Sequence, residues 1–360
     1  MTEASKWLFA IKQHQAALSG RFKNQGYGTI YFGGGSPSFL PKDILKDAIV
    51  WAARLADPDN RQNTEFTMEA NPEDIDSGFL DMLAEHGVNR LSVGVQSLEN
   101  KARSLAGRRG TAKDTIKKLE CISRNWPFLW SADFIAGLPG QSIDGLKNDI
   151  FRVLDYGAGH ISLYALTLDP DSPMAAAAAS GLYGLADSDA QSEYLEAAYE
   201  ILAKNGLMRY EVSNWARPRQ ESRHNMVYWT YGNWHGLGPS AVSNINQENG
   251  HTIRITNALG NDYYKNPATS ASETSLDKKD AAFEFLMMAL RTKRGLVFYE
   301  FEERYKIPVS QIFGSLEKQF PDLLHADEFA LKPTDRGLDL LNVILLKAME
   351  NADSYYGKPR

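Results

Sequence analysis

Between residues 28 and 205, short runs of β-branched and aromatic residues alternate with amphipathic stretches at helical spacing. The apolar runs lie at 29–32 (TIYF), 65–69 (EFTME), 90–95 (RLSVGV), 132–135 (ADFI) and 160–164 (HISLY), each closed by Gly, Pro or a polar residue. Helical stretches fall at 42–55, 77–86, 111–124, 145–156 and 188–205. Strands alternating with helices predict right-handed βαβ units around a parallel sheet, hence an α/β fold. Ligands of such sheets gather at the carboxyl ends of the strands, where loops run into helix N-termini. Polar residues at those ends are therefore the first functional candidates. Upstream, Trp7, Leu8, Ile11 and Leu18 recur at helical spacing and predict an amphipathic N-terminal helix.

After Leu207 the pattern changes. One more strand is predicted at 208–212, then an aromatic, His-bearing and Gly-rich stretch reaches Asn246. Helical periodicity returns at 281–291, followed by short elements at 297–305, 310–319 and 337–349. That rhythm predicts a small helical, winged-helix-like end domain. The expected organisation is 1–214 as the α/β part, 215–275 as a connecting segment and 276–350 as the end domain.

Composition narrows the functions open to this chain. Its 360 residues, 43% apolar and 23% charged, can bury a core, and a mean hydropathy of -0.39 describes a soluble chain. A net charge of -6 offers no surplus for phosphate backbones or anionic lipid. Basic and acidic side chains also nearly balance over 277–306, so the winged-helix-like part lacks a nucleic-acid footprint. With no signal-peptide pattern and no long apolar run, a cytoplasmic location is expected. The single cysteine, Cys121, forms no internal disulfide and cannot by itself hold a thiolate-ligated cluster. On its predicted helix it reads as a small buried hydrophobe.

The sharpest local signal is GGGSPS at 33–38, directly after a strand. Consecutive glycines let backbone N–H groups approach a ligand without Cβ obstruction. No GK[ST] follows and the spacing is not GxGxxG, so it is neither a P-loop nor a dinucleotide fingerprint. Polar residues then sit at or just beyond successive predicted strands: Glu69, Gln96, Arg108 and Asp133. Singly each reads as a cap or a surface charge. On one rim of one sheet they make a pocket for a small zwitterion with hydroxyls: the guanidinium forks onto a carboxylate, and the acids accept from amine or ribose.

GGGSPS, EANPED at 69–74, GVQS at 94–97 with Arg108 twelve residues beyond Gln96, and DFIAGLPGQS at 133–142 together resemble the S-adenosylmethionine (SAM) pocket of the radical SAM, coproporphyrinogen-oxidase-like proteins. EVSNWA at 211–216 and RHNMVYW at 223–229 are similar to that family's heme-chaperone branch rather than its dehydrogenase branch, and TDRGL at 334–338 to its end domain. The resemblance implies an incomplete (β/α)6 partial TIM-like barrel, its first strand missing. It also implies binding of heme and its transfer to an acceptor hemoprotein, with peripheral contact with membrane-bound acceptors. The alternatives are oxygen-independent coproporphyrinogen III oxidation, or a cluster-free SAM-binding relative.

Carried over residue by residue, the resemblance puts Gly34, Gly35 and Ser36 on the methionyl group and Arg108 on its carboxylate. Glu69, Gln96 and Asp133 take the amine and ribose groups in an order left open. The family holds a [4Fe–4S] cluster on a CxxxCxxC motif, which this sequence lacks. Two explanations follow: a fragment or mis-started reading frame of an ordinary member, or a relative that has lost radical chemistry and kept binding. Survival of the pocket residues as a set favours the first. No metal-ligand spacing is found, and no residue is expected to be catalytic.

Of seven histidines, His224, His235 and His251 fall in the aromatic stretch with Trp215, Tyr228, Trp229, Tyr231 and Trp234. These read first as packing at the edge of the end domain. The resemblance raises heme binding there, with His224 as the favoured ligand.

Overall fold

The computed structural model describes residues 2–22 and 26–357 of the chain. It divides into two compact units: one comprises residues 26–209 and 213–221, the other 1–25, 210–212 and 222–360.

The first unit carries β1 (Thr29–Phe32), β2 (Glu65–Ala70), β3 (Arg90–Gln96), β4 (Leu129–Ala136) and β5 (His160–Ala165), the first two residues of β6 (Met208–Glu211), and β7 (Asn214–Ala216). The sheet order is β1-β2-β3-β4-β5-β7-β6; β1 to β5 pair in parallel, and β7 runs antiparallel to β5. The parallel pairing of β1 to β5 is what the alternating pattern predicts, and the sheet curls into a half-barrel, the partial barrel that the resemblance implies.

Alternation sorts the side chains. Phe66, Met68, Leu91, Val93, Ala132, Phe134, Ile161 and Leu163 are buried in one cluster with helix residues such as Leu45, Ile49, Leu80, Ile122 and Ile150. Each of these side chains larger than alanine contributes about 1.5–3 kcal/mol by leaving water. The opposite set along the same strands is polar: Tyr31, Glu69, Ser92, Asp133 and Ser162. Asp76, Thr111, Ser142 and Asp187 cap helix starts in this unit, with a reciprocal Thr111–Asp114 capping box before Ala112–Asn125.

In the second unit the predicted N-terminal helix forms as Glu3–Arg21, burying Leu8, Ile11, His14 and Leu18. His14 Nδ1 lies 3.1 Å from the Tyr263 hydroxyl, and both side chains are buried. This helix thus groups with the C-terminal half, where the expected division had placed residues 1–214 together. The connecting segment holds a three-stranded antiparallel sheet of β8 (Val242–Asn246), β9 (Thr252–Thr256) and β10 (Ser272–Leu276). The end domain packs Lys278–Ala289, Phe298–Tyr305 and Leu341–Tyr356 around Phe285, Phe301, Phe313 and Ile344. It adds a small antiparallel sheet of β11 (Leu296–Val297), β12 (Leu324–Ala326) and β13 (Ala330–Pro333). The short element expected at 310–319 is two short helices, Val309–Phe313 and Leu316–Gln319, separated at Gly314, which takes φ +70°. Among the described residues, no helix is long and apolar enough to cross a membrane.

Candidate functional site

The polar rim of the half-barrel starts at the loop after β1. Gly34 takes φ +75° with open space where a side chain would stand. Its N–H donates to Glu69, which also accepts from the Tyr31 hydroxyl at 2.6 Å. Burial raises the Glu69 carboxyl above its ordinary range, and these two donors partly offset that. Ser36 and Ser38 tie the loop to the end of β2: Asn71 Nδ2 donates to Ser36 Oγ at 3.1 Å, and Ser38 Oγ donates to Asp74 at 2.7 Å.

Asn71 also links the loop to the guanidinium. Arg108 donates to the Gly94 carbonyl at 2.7 Å and lies 3.4 Å from Asn71 Oδ1. Its Nε is buried with no hydrogen-bond partner. Burial lowers the Arg108 pKa, which marks a cation poorly supplied with water. Gln96 Nε2 and the Arg108 guanidinium both crowd the Cα of Gly94, where a Cβ would meet them at 3.2 and 3.3 Å. Glycine at 94 therefore leaves room for both.

Asp133, one strand further, accepts from Ser92 Oγ at 2.9 Å and from Ser162. Burial pushes its pKa to about 6; the serine bonds and Arg90 oppose the rise, and the nearby Glu69 charge adds to it. Pairing explains the grouping, since Glu69 stands opposite Ser92 and Asp133 opposite Ser162.

The seven residues named from the sequence, Gly34, Gly35, Ser36, Glu69, Gln96, Arg108 and Asp133, thus belong to one rim. Sequence reasoning missed Tyr31, Asn71, Ser92 and Ser162, which orient them. Period-2 spacing was the available signal for two of them, since Tyr31 precedes Gly33 by two and Asn71 follows Glu69 by two; Ser92 and Ser162 meet the acids only through strand pairing. The turn after β4 is held by Gln141, whose Oε1 accepts from the Gly137 and Leu138 amides at 2.8 and 3.2 Å.

His224 stands on the helix Arg223–Trp229, capped by Ser222. Its Nε2 lies 2.9 Å from the Tyr228 hydroxyl, and Tyr228 packs edge-on against Trp234 at 4.7 Å. Burial pushes its pKa down to about 4, so the imidazole is neutral at physiological pH. His235 packs against Phe22 at 6.2 Å, and His251 lies in the turn before β9. Cys121 is partly buried against the core of the first unit, its carbonyl accepting from Asn125 at 2.8 Å. Among the described residues, no group of three or more His, Cys, Asp or Glu is placed to hold a metal ion.

Residues 15–153 match the radical SAM superfamily, and residues 276–340 the HemN C-terminal domain. The chain is 31% identical over 331 residues to the heme chaperone HemW of Lactococcus lactis, covering 91% of this chain and 86% of that protein. It is 29% identical to the mitochondrial radical S-adenosyl methionine domain-containing protein 1 of Bos taurus, covering 89% and 75% respectively. Coproporphyrinogen III oxidase, HemN, from Escherichia coli has a similar fold, with a TM-score of 0.78 at 19% identity over 96% of this chain and 83% of that one.

Proposed function

We propose a heme-carrying role for this chain, which belongs to the HemN/HemW-like radical SAM family. It binds heme as cargo and passes it to an acceptor hemoprotein. The observation that carries this reading is the 31% identity to a heme chaperone along 91% of the chain. A cytoplasmic location and peripheral contact with membrane-bound acceptors go with it, and no residue is assigned a catalytic role.

Family membership implies SAM and a [4Fe–4S] cluster. The SAM site is proposed on Gly34, Gly35, Ser36, Glu69, Gln96, Arg108 and Asp133. The buried, unpartnered Nε of Arg108 and the open approach at Gly34 support that assignment. When bound, SAM brings an adenosyl group and a zwitterionic methionyl tail. Arg108 holds the carboxylate, the loop amides approach the methionyl group, and Glu69, Gln96 and Asp133 accept from or donate to amine and ribose. The donor set does not fit the cluster: Cys121 is the one cysteine, and it sits on the helix Ala112–Asn125 against the core. Coproporphyrinogen III oxidation would need that cluster's electron, so the heme-carrying reading is preferred.

For heme, the neutral imidazole of His224 supplies a lone pair within an aromatic cluster that includes Tyr228 and Trp234. Ligation through Nε2 displaces the Tyr228 hydroxyl. Heme titration followed at the Soret band tests the role. The wild type is expected to shift the band at micromolar heme, and His224→Ala to weaken binding or move the band. An unshifted band in the wild type removes the carrier reading, and a His224→Ala protein indistinguishable from wild type removes the ligand assignment.

A further inference from the structure

The backbone at Gln96 is strained. Its φ is +63°, and the Ser97 amide donates to the Val95 carbonyl at 2.8 Å across it, a left-handed γ-turn with a non-glycine residue at its centre. The pairing with β4 also slips between Val93 and Gln96. Bulge and turn together re-aim the Gln96 amide toward the rim.

One buried guanidinium reaches both sides of this turn. Arg103, 2% exposed, donates to the Val95 carbonyl at 3.3 Å and the Ser97 carbonyl at 3.0 Å. Its other terminal nitrogen donates to the Arg109 carbonyl at 2.8 Å, one residue past Arg108, and to Glu73 at 3.4 Å. Its own backbone carbonyl accepts from the Arg108 amide at 2.9 Å. From below, buried Asp149 accepts from Ser97 Oγ at 2.9 Å and from the Leu98 amide at 2.6 Å. Neither Arg103 nor Asp149 is among the residues assigned to the ligand.

We infer that Arg103 and Asp149 are positioning residues that hold the strained Gln96 turn, and so its side-chain amide, at the spacing the adenosyl ligand requires. The inference rests on the SAM reading of the rim. A planar fork satisfies several carbonyls at fixed angles, whereas a lysine ammonium is a point donor on a flexible stem.

The experiment titrates SAM into the purified 360-residue chain by calorimetry. Arg103→Lys is expected to weaken binding at least about tenfold. In a Gln96→Ala background the same substitution is expected to cost less than about threefold, because the turn it holds no longer presents the amide. That non-additivity is what a merely structural role would not produce. If Arg103→Lys does not fold, Asp149→Asn replaces it. It keeps an acceptor for the Leu98 amide while losing the charge, and is expected to weaken SAM several-fold with the same dependence on Gln96. Variant affinities within twofold of wild type, or losses fully additive with Gln96→Ala, overturn the positioning role while leaving the SAM reading intact. A wild type that binds neither SAM nor S-adenosylhomocysteine overturns the SAM reading, and the positioning role with it.

Discussion

Asp133 holds its proton to about pH 6 in the folded protein, against roughly 4 in an unfolded chain. Between those values the native state keeps a proton that the unfolded state has released. Asp133 therefore favours the fold at low pH, and that contribution is lost as pH rises from about 4 to about 6. A ligand amine or hydroxyl facing the ionised carboxylate has the opposite demand. SAM binding is expected to weaken below about pH 6, by up to about tenfold per pH unit, and Asp133→Asn to flatten that profile. Calorimetry between pH 5 and 8 reads both, and a wild-type profile without slope would remove Asp133 from the site. Arg108→Ala removes a charge-assisted partner worth about 1.5–3 kcal/mol, so SAM affinity should fall about 10- to 150-fold. Both residues were picked out in the sequence, Asp133 within the fourth predicted strand and Arg108 beyond the third; in the structure Asp133 lies mid-strand in β4 and Arg108 follows the helix Asn100–Leu105. Gln96 was legible too, but its left-handed backbone was not, because a glutamine carries no sign of positive φ.

At the scale of elements, the loop 33–36 separates two kinds of glycine. A Cβ on Gly33 would collide with the Tyr31 ring and the Glu69 carboxylate, whereas one on Gly35 would meet nothing within 4 Å. Gly33→Ala is therefore expected to cost about 1–3 kcal/mol in urea unfolding, and Gly35→Ala less than about 0.5 kcal/mol. Equal midpoints for the two would contradict the packing of the Tyr31–Glu69 pair against this loop. Strands β1 to β5 were legible because their β-branched runs end in glycine or proline and precede helical periodicity. Strands β8 to β10 were not: Asn244, Asn246, Ser272 and Thr274 dilute the apolar alternation, and the pairing of β8 with β9 supplies the order that propensity lacks.

For the whole molecule, two separate buried clusters follow from the division into units. Phe301 is fully buried in the second, against Phe285, Tyr305 and Phe313. Phe301→Ala is expected to cost that unit about 3–5 kcal/mol, lowering its transition in scanning calorimetry, while SAM binding at low temperature persists. Loss of SAM binding in a still-folded variant would contradict the assignment of the rim to the other unit. The amino-acid sequence by itself determined the strand–helix alternation, the glycine loop and the presence of a single cysteine, since these depend on local period and residue chemistry. Tertiary structure alone decided that His14 buries beside Tyr263, 249 residues away, and that Arg103 holds the carbonyls around Gln96. The first arises from packing between segments distant along the chain; the second spans only six to eight residues, but depends on a positive-φ turn and a burial that no residue pattern encodes.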